Sequence, residues 1–288
     1  MAEAASLKLG ELKALTYDTT NDVFYFTDAH RTDGYTNINT LKLRNDGSTQ
    51  IKTIVKLNDR DVSIEDLVYD FNDDALFYSD RNKERIMRVN FDRSNPESVT
   101  VAQELFLSTT GQPAGLELDA CKRNLYFAIA TDDPNINVIS IKDKNAKPIC
   151  NGKHKQPNAI ALDESNDRIY IADRSSNIYF INSFTNEGDD FKVELKSFSR
   201  TPRSLAVDHQ YVYYLDGNEH ELRRILKHGE MKNTSEFFMK FSSDPTDVIV
   251  RSNFIDAMKV DMKKCDVSEG RMKELRSVID KVRNQDSN

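Results

Sequence analysis

Aspartates recur in pairs ten residues apart along this chain: Asp18 with Asp28, Asp70 with Asp80, and Asp163 with Asp173. Paired carboxylates can work as acid and base or hold a hard cation, provided the fold brings them together. Here each pair brackets a short segment, which predicts that the second members, Asp28, Asp80, Asp173 and Asp216, bond backbone amides or neighbouring elements and are not catalytic. Other reactive groupings are sparse. His30, His154, His209, His220 and His228 stand apart in sequence, and no Ser-centred elbow, zinc-type His pair or phosphate-cradling Gly loop is present among 10 glycines. Cys121, Cys150 and Cys265 lack metal-ligand spacing. Cys121 and Cys150 fall at the turn and outer edge of one repeat, where a bridge between them and three reduced thiols are both open. Asn233-Thr234-Ser235 is a glycosylation sequon.

The segments that carry these aspartates repeat. Leu15-Thr16-Tyr17-Asp18 leads to Val23-Phe24-Tyr25-Phe26-Thr27-Asp28, and Leu67-Val68-Tyr69-Asp70 leads to Leu76-Phe77-Tyr78-Ser79-Asp80. Ile160-Ala161-Leu162-Asp163 leads to Ile169-Tyr170-Ile171-Ala172-Asp173. Leu116-Glu117-Leu118-Asp119 and Leu205-Ala206-Val207-Asp208 begin looser copies, the first with Ile129 in place of its second aspartate. Val248-Ile249-Val250 reads as a sixth start, with Arg251 where the aspartate belongs. The starts at 15, 67, 116, 160, 205 and 248 are 52, 49, 44, 45 and 43 residues apart. That period is one propeller blade, and six starts predict six blades.

Each repeat shows why it would be a blade. Alternating apolar residues rich in aromatic and β-branched types make two strands, joined by a polar turn such as Thr19-Thr20-Asn21-Asp22. Ile86-Met87-Arg88-Val89, Val138-Ile139-Ser140-Ile141 and Ile178-Tyr179-Phe180-Ile181 read as third strands. A four-stranded blade cannot bury both faces alone, so the copies must stack in a ring. The sixth copy is short of strands, and residues 1–13 are expected to supply one. Beyond Phe254, Met272, Leu275, Ile279 and Val282 share a stripe behind a capping Ser268, which predicts a helix. The expectation is therefore an all-β six-bladed propeller over 1–252 and a helical tail over 253–288.

Phe24-Tyr25-Phe26-Thr27-Asp28 and its copies resemble the Tyr-Trp-Thr-Asp repeats of LDL-receptor-type propellers, the YWTD or LDL-receptor class B family. Gln112-Pro113-Ala114-Gly115 and Gln156-Pro157-Asn158-Ala159 resemble that family's proline-led approach to the first strand, with Pro202 and Pro245 in the same place. The chain has no tryptophan, so the family's hallmark residue is missing. The resemblance implies a non-enzymatic protein that binds a protein or peptide on one face of the disc, needs no cofactor, and works outside the cell. It also implies that Asn158 grips a peptide amide, having both a donor and an acceptor.

Propellers bind where loops surround the central channel. Repeat symmetry places Lys13, Glu65, Ala114, Asn158, Arg203 and Thr246, each two residues before an innermost strand start, as a ring around the channel mouth. A second set of loops follows the second aspartate and offers His30, Arg31, Tyr35, Arg81 and Arg174, anchors of the kind protein interfaces use. Two other readings compete: a pigment-like small-molecule carrier, which needs an apolar mouth, and a metal-dependent lactonase-like hydrolase. The hydrolase needs Glu, Asn and Asp around one cation, and Lys13 and Arg203 in the ring oppose it.

Composition narrows the partners. Of 288 residues 38% are apolar and 30% charged, and the net charge of −7 excludes a general affinity for nucleic acid. No apolar run approaches the ~18 residues of a membrane span. The start Met1-Ala2-Glu3-Ala4-Ala5-Ser6 lacks the layout of a secretory signal, which sets a cytoplasmic expectation against the extracellular one. A monomer is expected, with the C-terminal helix as the segment available for contact.

Overall fold

The structure is a computed structural model, described over residues 9–44, 46–91, 102–130, 134–150, 152–227 and 234–250. Its strands form five antiparallel four-stranded sheets in chain order. Blade 1 comprises β1 (Glu11–Asp18), β2 (Val23–His30), β3 (Tyr35–Leu43) and β4 (Thr49–Leu57). Blade 2 comprises β5 (Ile64–Asp70), β6 (Ala75–Asp80), β7 (Arg85–Asn90) and β8 (Ala102–Ser108). Blade 3 comprises β9 (Pro113–Asp119), β10 (Asn124–Ile129), β11 (Asn135–Ser140) and β12 (Ala146–Pro148). Blade 4 comprises β13 (Ala159–Asp163), β14 (Arg168–Ser175), β15 (Ile178–Thr185) and β16 (Lys192–Ser197). Blade 5 comprises β17 (Pro202–Val207), β18 (Tyr211–Asp216), β19 (Glu221–Leu226) and β20 (Ser235–Lys240).

The first aspartate of each repeat makes the inner hairpin turn. Asp18 accepts the Thr20 and Asn21 amides at 2.8 and 3.2 Å, and Asp70 accepts Asn72 N at 3.0 Å. Asp119 accepts Lys122 N at 2.7 Å, and Asp208 accepts Gln210 and Tyr211 N at 2.7 and 2.6 Å. The last turn residue is left-handed in blades 1 to 4, with φ of 55° at Asp22, 54° at Asp74, 59° at Arg123 and 50° at Asp167. Asp tolerates that conformation better than most residues.

The core is four layers between neighbouring blades. Ile38, Leu67 and Tyr78 pack between blades 1 and 2, and Phe77, Leu116 and Leu125 between blades 2 and 3. Ile136, Ile169 and Phe184 join blades 3 and 4, and Ile181, Val207 and Tyr214 join blades 4 and 5. Polar bonds run alongside. Arg123 holds the fully buried Asp70 of the neighbouring blade through two bonds of 2.6 and 2.8 Å, and Lys227 reaches Asp163 at 2.5 Å.

The expected sixth blade is corrected. Among the described residues five blades are formed, no strand follows β20, and the helical turn present is a 3-10 turn at Glu164–Asn166. The sixth start keeps the apolar alternation at Val248-Ile249-Val250 but lacks the aspartate that turns the chain back into a hairpin. Instead, its Asp247 bonds Ser204 of β17 and Leu15 of β1, laying this segment between the last blade and the first. Residues 11–13, expected to help complete a sixth blade, belong to β1 of blade 1. The predicted helix from Ser268 to Val282 lies outside the described residues. Of the two cysteine arrangements left open, neither is found: Cys121 is disulfide-bonded, whereas Cys150 is a buried free thiol.

Candidate functional site

The channel mouth is built in blades 1, 2, 3 and 5 by a bulge in the first strand, whereas the first strand of blade 4 pairs without a slip. Pairing of the first strand slips between Leu12 and Leu15, between Ile64 and Asp66, between Pro113 and Leu116, and between Pro202 and Leu205. Lys13, Glu65, Ala114 and Arg203 sit inside these slips, where a bulge re-aims a side chain out of the ladder. The amide freed by the bulge finds a hydroxyl on the second strand: Ala14 N donates to Thr27 Oγ1 at 3.0 Å, and Asp66 N to Ser79 Oγ at 3.1 Å.

The second aspartate then fixes the loop leading into the bulge. Asp28 accepts Gly10 N at 2.6 Å, Asp80 accepts Ser63 N at 3.1 Å, and Asp216 accepts Thr201 N at 3.1 Å. Asp173 accepts Lys155 N at 3.1 Å and Gln156 N at 2.8 Å, just before Asn158. Blade 3, with Ile129 in that place, keeps the backbone bond from Ala130 N to Gln112 O at 3.2 Å, the counterpart of Arg81 N to Ser63 O and Gly217 N to Thr201 O in blades 2 and 5. These aspartates are therefore spent on holding the mouth.

All six ring residues, Lys13, Glu65, Ala114, Asn158, Arg203 and Thr246, line one cavity of about 650 Å³. Arg81 and Arg174 of the second loop set line it too, with Gln156, Tyr179 and Asn218. Lys13 is paired with Glu65 and Arg203 with Asp244, each at 2.5 Å. Arg31 and Tyr35 line a separate cavity of about 40 Å³, where Arg31 meets Glu11 at 2.6 Å. His30 lines neither cavity: its Nε2 lies 3.0 Å from Asp28 and its ring stacks on Tyr35 at 4.5 Å.

Sequence reading missed the acids of the channel. Asp66 and Asp247 face the axis below the mouth with Glu117, and Glu117 and Glu164 line a cavity of about 170 Å³ on the other face beside Tyr17, Tyr69 and Phe71. Burial pushes Glu117 and Glu164 up to about 8, with neighbouring carboxylates adding to the rise. Burial pushes Asp247 up to about 6, and burial together with the charge of Asp247 raises Asp66. The available signals were Glu117, a charge standing where Val68, Ala161 and Ala206 hold apolar places in other copies, and Asp66 and Asp247, which share the repeat position held elsewhere by Ala14, Gly115, Ala159 and Ser204. Among the described residues no three His, Cys, Asp or Glu side chains converge to hold a metal.

Comparison with known proteins agrees with this fold. The chain is 28% identical over 214 residues to protein cueball of Drosophila yakuba, and 29% identical over 215 residues to that of Drosophila grimshawi. These matches cover 74% of this chain but 32% and 34% of those proteins, so the chain spans about a third of the curated relatives it matches. Among solved structures it is similar to a chain of a nidogen/laminin complex, with TM-score 0.62, 18% identity and 75% of each chain covered. A gluconolactonase from Xanthomonas campestris gives TM-score 0.62 at 8% identity, covering 83% of this chain and 79% of that one. No family model matches. The chain is a β-propeller.

Proposed function

We propose that this protein is a non-enzymatic propeller of the YWTD kind that binds a protein or peptide at the channel mouth. The observation that carries this reading is the 650 Å³ cavity, lined by all six ring residues and two further arginines, with Lys13, Glu65, Ala114 and Arg203 set by bulges and the approach to Asn158 held by Asp173. Its polar lining suits a peptide backbone and side chains, and a mixture of amide, guanidinium and aromatic groups is what protein interfaces use. The likeness to cueball and to a propeller from a nidogen/laminin complex supports the same reading. The disulfide at Cys121 supports an extracellular setting, since structural disulfides persist in oxidising compartments.

The likeness to a gluconolactonase favours a hydrolase as the second reading. The mouth argues against it. Glu65, the ring carboxylate available to a cation, is engaged by Lys13 at 2.5 Å and Ser63 Oγ at 3.1 Å. A pigment-like carrier would need an apolar mouth, and this one is charged.

Selection from a random-peptide display library on the intact protein tests the proposal. Selected peptides are expected to lose at least tenfold in affinity for Asn158→Ala and Arg203→Glu proteins with unchanged thermal midpoints. Undiminished binding to both variants would overturn it, and lactone turnover with added calcium would establish the hydrolase.

A further inference from the structure

The charges at the mouth are unevenly committed. On the side formed by blades 1 and 5, each cation has a carboxylate partner: Lys13 has Glu65 and Arg203 has Asp244. Asp173 lies buried beneath the loop and spends its oxygens on the Lys155, Gln156 and Arg174 amides. Arg81 and Arg174, from blades 2 and 4, differ. Arg81 Nε donates to the neutral amide oxygen of Gln112 at 2.9 Å. Arg174 Nε donates to the Ser176 carbonyl at 2.7 Å, and its guanidinium lies 5.5 Å from the centre of the Tyr179 ring.

Among the described residues, neither guanidinium forms an ion pair with a carboxylate. Both side chains are exposed, both line the 650 Å³ cavity, and Asn158 lines it with them. Each guanidinium is oriented by a neutral acceptor at Nε, which leaves its terminal amino groups for an incoming group. A planar carboxylate meets a guanidinium through two parallel charge-assisted bonds, a geometry that lysine cannot offer.

We infer that the mouth takes an acidic peptide segment, whose carboxylates are held by Arg81 from blade 2 and by Arg174, which shares blade 4 with Asn158. This inference rests on the mouth being the binding face and specifies the chemistry of what enters. The ligand is an exposed stretch of a partner protein rich in Asp or Glu. Electrostatic attraction to the two free cations supplies much of the selectivity in a chain whose overall charge is −7 and would otherwise repel such a segment. The association must therefore weaken as salt rises, because exposed charges are screened beyond about 8–10 Å at 0.1–0.15 M ionic strength.

The test uses three fluorescein-labelled decapeptides of glycine alternating with glutamate, glutamine or lysine, titrated with the intact protein and followed by anisotropy at low salt. The glutamate peptide is expected to bind at least tenfold more tightly than the glutamine peptide and to lose that advantage at 0.5 M salt. The Arg81→Gln/Arg174→Gln protein is expected to lose at least tenfold in affinity for it. A Lys142→Gln/Lys147→Gln protein, which loses the same charge from exposed positions on blade 3, is expected to change less than twofold. Equal binding of the glutamate and glutamine peptides, or unchanged affinity in the double arginine variant, overturns the acidic-segment inference. If peptides of every charge bind and Asn158→Ala weakens them all, the mouth reading stands and the acidic specificity falls. If no bound peptide responds to Asn158→Ala, the mouth reading falls with it.

Discussion

The Asp247 carboxylate accepts the Leu15 amide at 2.7 Å, the same bond at the same length that Asp66 makes to the Leu116 amide. Each aspartate also accepts the amide that follows it, Val248 N and Leu67 N, at 2.8 Å. The Asp66 bond joins blade 2 to blade 3. The Asp247 bond does the equivalent work between the segment after β20 and blade 1. Ser204 adds the other link, donating to Asp247 at 2.5 Å and accepting Val248 N at 3.2 Å. Among the described residues, this short stretch of chain thus links blade 5 to blade 1.

Asp247→Ala leaves the Leu15 amide and the Ser204 hydroxyl without their acceptor, and the Val248 amide with Ser204 Oγ alone, a loss of roughly 1–3 kcal/mol for each buried group left unsatisfied. Urea unfolding is expected to show a lower midpoint with a similar slope. Asp247→Asn, which keeps an acceptor oxygen, is expected to retain most of the stability. An alanine variant as stable as the parent would mean that the segment does not hold blade 5 to blade 1.

Stability is expected to fall as pH rises from 6 to 8.5. Glu117 and Glu164 are held protonated in the folded state up to about 8, whereas in the unfolded chain they ionise near the ordinary glutamate value of roughly 4.3. Between those values the folded state binds more protons, so stability declines with pH. It is full below the unfolded value and lost as pH passes the folded one. Glu117→Gln and Glu164→Gln should flatten this slope in thermal melts. A wild-type midpoint independent of pH over this window would contradict the burial of these acids.

Much of this was legible in the sequence, for a physical reason. An inner hairpin needs an alternating strand, an aspartate to cap its turn and a second strand, all local, so Leu15–Asp28, Leu67–Asp80 and Ile160–Asp173 announce it. The ring was legible too, because Lys13, Glu65 and Asn158 follow from phase alone. Blade number was not. Val248–Val250 has the pattern of an inner segment and takes an inner position, but pattern cannot reveal that no hairpin follows it among the described residues. The bulges were hidden because register is settled by pairing across strands. The channel acids escaped because Asp66, Glu117 and Asp247 are far apart in sequence and meet only at the axis.

Peptide mapping without reduction is expected to find Cys121 in a disulfide and Cys150 as a free thiol. Burial raises the Cys150 thiol above its ordinary range, so it should alkylate slowly until the protein is unfolded. Recovery of a Cys121–Cys150 peptide would contradict the structure.

Asp173→Ala should free the Lys155 and Gln156 amides that hold the approach to Asn158. Hydrogen exchange is expected to speed up at those amides and at Arg174 while blades 1 and 2 stay as protected as before. Equal protection at Gln156 would show that the loop is held by something other than this carboxylate.

The proposed binding face is the channel mouth. The most direct measurement is hydrogen exchange of the intact protein with and without a peptide selected on it. Added protection is expected around residues 155–158, 201–203 and 244–246, with little change at the opposite face around Glu164 and His209. Protection confined to that opposite face or to the outer strands would place the ligand elsewhere and contradict the account.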